Sequence, residues 1–236
     1  MTTYVLVHGA WGGAHGFHLV RPLLAAHGHA VFTPSLTGVG ERVHLASPQV
    51  GLSTHVADVV NHVLYEDHRD IVLLGFSYGG MVVTGALAHV ADRVRHLVYL
   101  DAFVPGDGDS IATLNGGEAG GWPLTGVGLQ WLIPSAGRAF DDPAEAAFAD
   151  PRRVPMPAGC FAEPVRVPVP LDEQPFTRTY IRASAELPDA PGNTVFDRCA
   201  ARAAASPAWT LHEIATNHMI PSNRPQELAD ILLALA

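Results

Sequence analysis

The chain has 236 residues, 48% of them apolar and 16% charged, with a formal net charge of −9. That length suits one sizeable α/β domain with an insertion rather than two domains. The charge argues against nucleic acid or an anionic membrane as partner, no apolar run is long enough to span a bilayer, and all 14 basic residues are arginine, which excludes Schiff-base chemistry and a Walker-type phosphate loop.

The first strand is Tyr4 to Val7, so close to the start that no secretory signal is expected before it. Cys160 and Cys199 have neither metal nor redox spacing, and together these features place the chain in a reducing cytoplasm. His8-Gly9-Ala10-Trp11-Gly12-Gly13 follows as a glycine-rich loop ahead of a helix over His15 to His27. The loop lacks the G-x-G-x-x-G spacing of a dinucleotide cradle. A second strand covers Ala30 to Thr33. Ser53 is the expected N-cap of a helix from Thr54 to Glu66, whose Val56, Val59, Val60, Val63 and Leu64 form an apolar stripe.

Ile71 to Leu74 are four consecutive apolar residues, the pattern of a strand buried on both faces. Gly75-Phe76-Ser77-Tyr78-Gly79 comes directly after, and a helical pattern runs from Met81 to Val90. A G-x-S-x-G turn between strand and helix is the context of a nucleophile elbow. Its glycines are required because a side chain at 75 or 79 would collide with the neighbouring strand or helix. The bland alternative is a glycine-rich turn whose serine only caps the helix. Arg95 to Asp101 is the next strand, with Asp101 at its C-terminal end.

From residue 105 to 176 prolines and glycines crowd in and periodicity fades, apart from a short helix near Asp142 to Phe148. An irregular insertion this long reads as a lid over a site, with Trp122 and Trp131 as candidates to line an apolar pocket. The plainer account of any one such aromatic is that it belongs to the insertion's own core. Arg178 to Arg182 resumes the strands, Thr194 to Ala205 is helical, and Trp209 to Ile214 is the last strand. His218 follows it, and Arg224 to Leu235 closes the chain as an amphipathic helix. Strands alternating with helices predict a mostly parallel sheet covered on both faces.

Ser77 and His218 therefore meet at the C-terminal edge of the sheet, where open α/β sheets bind ligands. That pairing predicts a nucleophile and its base. Backbone N–H groups of Ala10 and Tyr78 are placed to hold an oxyanion. His8 fits a structural hydrogen-bonding role better than that of a base. Of the candidate acids, Glu186 and Asp189 lie in the loop after the Arg178 to Arg182 strand, a common place for a triad acid. Asp101 is preferred, because a strand-end aspartate in an apolar setting is costly without a partner such as His218. The alternatives stay open at this point.

The chain resembles the α/β-hydrolase superfamily, in the small-cap branch of plant methyl esterases, hydroxynitrile lyases and bacterial pyrethroid-hydrolysing carboxylesterases. His8-Gly9-Ala10-Trp11, Leu36-Thr37-Gly38-Val39-Gly40-Glu41-Arg42, the elbow through Gly80, Leu100-Asp101-Ala102-Phe103-Val104-Pro105 and His218-Met219 carry the likeness. It implies an α/β-hydrolase core at 1–104 and 177–236 with a cap at 105–176. It also implies a Ser77–His218 pair with an acid, and oxyanion donors at Ala10 and Tyr78. Phe76 departs from the branch, which usually has histidine there. The expected activity is hydrolysis of a small-to-medium apolar ester, with no cofactor and no metal; a homodimer is compatible with it. Hydroxynitrile lyases of the branch use a lysine beside the histidine, where this chain has Met219. A silent ligand-binding protein of the same fold is the alternative from another class.

Overall fold

The structure, a computed structural model, describes residues 1–117, 131–185 and 194–236. Six strands form one parallel sheet: β1 (Thr3–Val7), β2 (Ala30–Phe32), β3 (Ile71–Phe76), β4 (Val94–Leu100), β7 (Thr177–Ala183) and β8 (Trp209–Ile214). Their order is β2-β1-β3-β4-β7-β8, and β3 lies in register with β1 on one side (Val7 opposite Gly75) and with β4 on the other (Phe76 opposite Leu100). Between β4 and β7 a short antiparallel pair, β5 (Leu132–Ile133) and β6 (Met156–Pro157), is the second sheet.

Alternation along the strands divides the core in two. Val5, Val7, Ile71, Leu73, Leu97, Tyr99 and Tyr180 point to one face, where α2 (Leu52–Tyr65), α3 (Gly79–Val90) and α7 (Val195–Ala204) pack. Tyr4, Leu6, Val72, Leu74, Val98, Leu100 and Ile181 point to the other, against α1 (Val20–Ala25) and α9 (Pro225–Leu233). Both faces being covered explains why β1, β3 and the end of β4 read as continuous apolar runs, whereas β8, at the edge of the sheet, mixes in polar and exposed residues. The insertion carries α4 (Ile111–Leu114), α5 (Pro143–Ala149) and α6 (Gly159–Ala162), and α8 (Ile220–Asn223) precedes α9. Ile111, Met156, Cys160, Phe161, Val165 and Phe176 join the α2/α3 cluster, so these residues share the sheet's core.

Two helix boundaries differ from expectation. The stretch His15 to His27 is a 3-10 turn at Ala14–Phe17 followed by α1. Pro22 has no N–H to give to the carbonyl of His18, so the helix restarts at Val20 and keeps its proline in the first turn. Helix α2 begins at Leu52 with Gly51, not Ser53, as its N-cap. The Ser53 N–H instead donates to Glu163 Oε2 at 3.0 Å, so a carboxylate 110 residues later satisfies the first turn. Thr194 and Asp142 cap α7 and α5 with their side chains. Among the described residues no helix is long and apolar enough to cross a membrane.

Candidate active site

Ser77 sits between β3 and α3 at φ +55°, in the left-handed region that non-glycine residues seldom occupy. Its conformation is held from three sides. The Ser77 N–H donates to the Leu100 carbonyl at 3.1 Å, and the Ser77 carbonyl accepts from the N–H groups of Gly80 (3.1 Å) and Phe103 (3.2 Å). A Cβ at Gly75 would stand 2.6 Å from the Gly79 carbonyl oxygen, and one at Gly79 would stand 2.6 Å from that of Val7. The spacing of the two glycines is therefore a steric requirement of the turn.

Trp11 and Asp101 share the left-handed conformation, at φ +63° and +40°. Three of the five non-glycine residues at positive φ among the described residues thus cluster at this edge, as strained residues do at functional sites. Asp101 ends β4, its N–H donating 2.7 Å to the Ile181 carbonyl. Its Oδ2 lies 2.6 Å from His218 Nδ1, and its Oδ1 accepts from Arg182 Nη1 at 3.0 Å and from the Ala183 N–H at 3.1 Å. With Nδ1–H donating to the carboxylate, His218 Nε2 is left to accept from the Ser77 hydroxyl, 2.9 Å away. The structure thus brings Ser77, His218 and Asp101 into one row. Glu186, Asp189 and Trp122 lie outside the described residues.

Two phenyl rings pack on the His218 imidazole: Phe196 stacks on it at 5.0 Å and 13°, and Phe76 lies tilted to it at 5.0 Å and 32°. Phe76, the position that departs from the branch, therefore packs against the imidazole itself. Nothing in the sequence singles out Phe196, which is one apolar residue of a helix.

Behind the row, two buried histidines fix the loops. His8 Nδ1–H donates 2.8 Å to the Gly9 carbonyl, and its Nε2 accepts from the Leu36 N–H at 3.1 Å. Burial pushes its pKa down to about 4, so it is neutral and structural. His55 Nε2–H donates to the Thr37 carbonyl at 2.7 Å and Nδ1 accepts from the Tyr78 hydroxyl at 2.9 Å, with burial lowering its pKa. Tyr78 is thereby anchored through its side chain. Its own N–H, and that of Ala10, find no acceptor among the described residues.

Ala10, Ser77, Tyr78, Asp101 and His218 open onto a cavity of about 870 Å³. Among the described residues, Trp11, Phe103, Phe161 and Phe196 join Tyr78 as its aromatic lining. Trp131 is not among the lining residues; its carbonyl accepts from the Ala158 N–H at 2.7 Å, beside the β5–β6 pair. Trp11, supplied by the loop after β1, is an aromatic wall that lies outside the insertion. Among the described residues no three His, Cys, Asp or Glu side chains gather to hold a metal ion.

Sheet order, left-handed serine turn and the serine–histidine–aspartate row define an α/β hydrolase. The model of the alpha/beta hydrolase family matches residues 4–231, and the chain belongs to that family. A carbendazim hydrolyzing esterase from Nocardioides sp. is 46% identical over 114 residues, 48% of this chain and 47% of that protein. An alpha-hydroxynitrile lyase from Arabidopsis thaliana is 30% identical over 108 residues, 43% of this chain and 40% of the relative. The matches thus span about half the length of these relatives, or less. An extracellular alpha/beta-hydrolase from a Paenibacillus species has the same fold, with a TM-score of 0.80 at 23% identity over 99% of this chain and 98% of that one.

Proposed function

We propose that the chain is a serine hydrolase of the carboxylesterase type, cleaving a small-to-medium carboxylic ester with an apolar body through an acyl-enzyme. One observation carries the reading: His218 bridges Ser77 Oγ at 2.9 Å and Asp101 Oδ2 at 2.6 Å, on the floor of the cavity. In this reading Ser77 attacks the ester carbonyl as His218 Nε2 takes its proton, and the developing oxyanion moves to the Ala10 and Tyr78 N–H groups. The imidazolium then protonates the leaving alcohol. Water attacks the acyl-enzyme with the same base, releasing the acid and restoring the Ser77 hydroxyl. Asp101 holds the tautomer and orients the ring. The insertion at 105–176 acts as a cap over this chemistry, and two buried free cysteines suit a reducing cytoplasm.

The likeness to an esterase over half the chain supports this bond class. The lyase reading finds less support, because Met219 stands beside His218 and the chain has no lysine. A fluorophosphonate probe should label Ser77 and Ser77→Ala should abolish both labelling and turnover of an activated ester, by a factor on the order of 10⁴ or more. Label on another residue, or an active alanine variant, would overturn the proposal.

A further inference from the structure

The cavity contains a cation that the reaction above does not use. Arg138 lines it together with Trp11 and Ser77, and its guanidinium carbon lies over the Trp11 ring, 5.9 Å from the centroid. Trp11 follows Ala10 in the chain, so the ring under the guanidinium belongs to the loop that carries one of the two proposed oxyanion donors. Trp11 is itself pinned in place: its indole N–H donates to the Ile133 carbonyl at 2.9 Å and its carbonyl accepts from the Val154 N–H at 3.1 Å.

What marks Arg138 is the absence of a counter-charge. Its hydrogen bond among the described residues is to the adjacent Gly137 carbonyl, at 3.1 Å, and no carboxylate there lies within ion-pair distance. Arg182, also on the cavity wall, shows the contrast: it pairs with Asp101 and Asp197. Arg138 is half-buried, and its charge acts on that of Arg153, which is held by Ser135 Oγ at 3.0 Å and the Ala136 carbonyl at 3.3 Å and makes no ion pair among the described residues. Burial lowers the pKa of both, that of Arg153 to about 10, with Arg138 as a further cause. Asp150 favours the charge of Arg153 without offsetting its burial, and Arg138 has no carboxylate partner among the described residues, so two neighbouring guanidinium groups drawn out of water are unfavourable until an anion joins them. Because the chain as a whole carries −9, such a site is local and not part of a general basic surface.

We propose that Arg138 is an anion subsite of the substrate cavity, which takes an ester bearing a carboxylate at the end of its apolar body. The planar fork of Arg138 matches a carboxylate with two parallel hydrogen bonds. Trp11, Phe103 and Phe161 would line the chain between the scissile carbonyl and that carboxylate. The substrate class is then a half-ester of a dicarboxylic acid or a similar acid-tailed ester. This rests on the hydrolase reading above and narrows its substrate.

The test pairs 4-nitrophenyl monoesters of succinic, glutaric and adipic acids with the neutral 4-nitrophenyl esters of matching length. At one length or more, wild type should favour the acidic member tenfold or more in kcat/KM. Arg138→Gln should reduce that ratio about tenfold, Arg138→Lys should keep part of it, and the wild-type preference should shrink as salt is raised. A wild-type ratio at or below one for every length, or a ratio untouched by Arg138→Gln, overturns the subsite. If wild type cleaves none of the esters, the hydrolase reading fails instead. Calorimetric binding of glutarate then decides the subsite: a tenfold weaker Kd in Arg138→Gln supports it, and no difference overturns it.

Discussion

The turn after β3 and the turn after β4 present the two ends of the same hydrogen-bonded row, yet they are built differently. Each places a non-glycine residue in the left-handed region, Ser77 at +55° and Asp101 at +40°. They are also stitched together, since Ser77 donates to Leu100 and accepts from Phe103. The Ser77 turn is packed backbone against backbone, and its glycines betray it in the sequence. The Asp101 turn is held by hydrogen bonds and charge: an N–H on the Ile181 carbonyl, and a carboxylate taking Arg182, Ala183 and His218. A turn made by close approach leaves a residue signature; one made by polar partners from distant segments does not.

The largest expected effect tests what the Asp101 turn delivers. Asp101→Asn keeps shape and volume, but an amide favours the wrong imidazole tautomer, and in a comparable triad that change costs on the order of 10⁴ in kcat. The variant should unfold close to wild type in urea, separating chemistry from stability. A loss of less than tenfold would mean that another carboxylate orients His218.

Where the two turns meet, Gly80 is the point of closest approach. A Cβ there would lie 2.1 Å from the Phe103 carbonyl oxygen, a backbone atom that cannot swing aside. Gly80→Ala should therefore destabilise the fold by about 3 kcal/mol. Gly16→Ala, with nothing within 4 Å of its Cβ, should stay within about 0.5 kcal/mol of wild type. Equal unfolding midpoints for the two would show that the turns can separate at little cost.

The residues beneath the turns differ in charge, and pH separates them. Under the Ser77 turn lies His8, buried and neutral, its pKa depressed to about 4 by burial. In the unfolded chain the same group titrates near about 6.5. Between those values the unfolded state binds the extra proton, so this contribution to stability falls as pH drops from about 6.5 to 4, by about 3 kcal/mol at most. His8→Asn should flatten the acid side of the stability profile measured by urea titration. An unchanged slope would assign the acid loss to other groups.

The same contrast explains what could be read in advance. The inner strands β1, β3 and β4 were legible because a sheet covered on both faces demands apolar runs, and Ser77 was legible because Gly75 and Gly79 have no room for a Cβ. The row from Ser77 to Asp101 follows from strand-end positions and the cost of a lone buried carboxylate. What escaped depends on chain segments meeting from afar: Glu163 at the start of α2, Phe196 against His218, and Arg182 on Asp101. Trp131 lies beside the β5–β6 pair, its carbonyl on the Ala158 N–H, and an aromatic in an irregular segment carries no sign in the sequence of which way it packs.

Arg182 offers the finest distinction between the turns. It reaches from the end of β7 to Asp101 Oδ1, and also pairs with Asp197 and the Ala183 carbonyl. Burial works against its charge, but the two carboxylates outweigh this and raise its pKa. Asp101 would keep the Ala183 N–H and His218 if Arg182 were lost, so the turn should loosen rather than collapse. Arg182→Gln should lower kcat on a neutral ester about tenfold, equivalent to about 1.4 kcal/mol. Arg182→Lys, retaining the charge without the fork, should fall between the two. If Arg182→Gln were as slow as Asp101→Asn, the ion pair would be what fixes the carboxylate against His218. If it matched wild type, the Ala183 N–H alone would suffice, and both turns would be held by backbone after all.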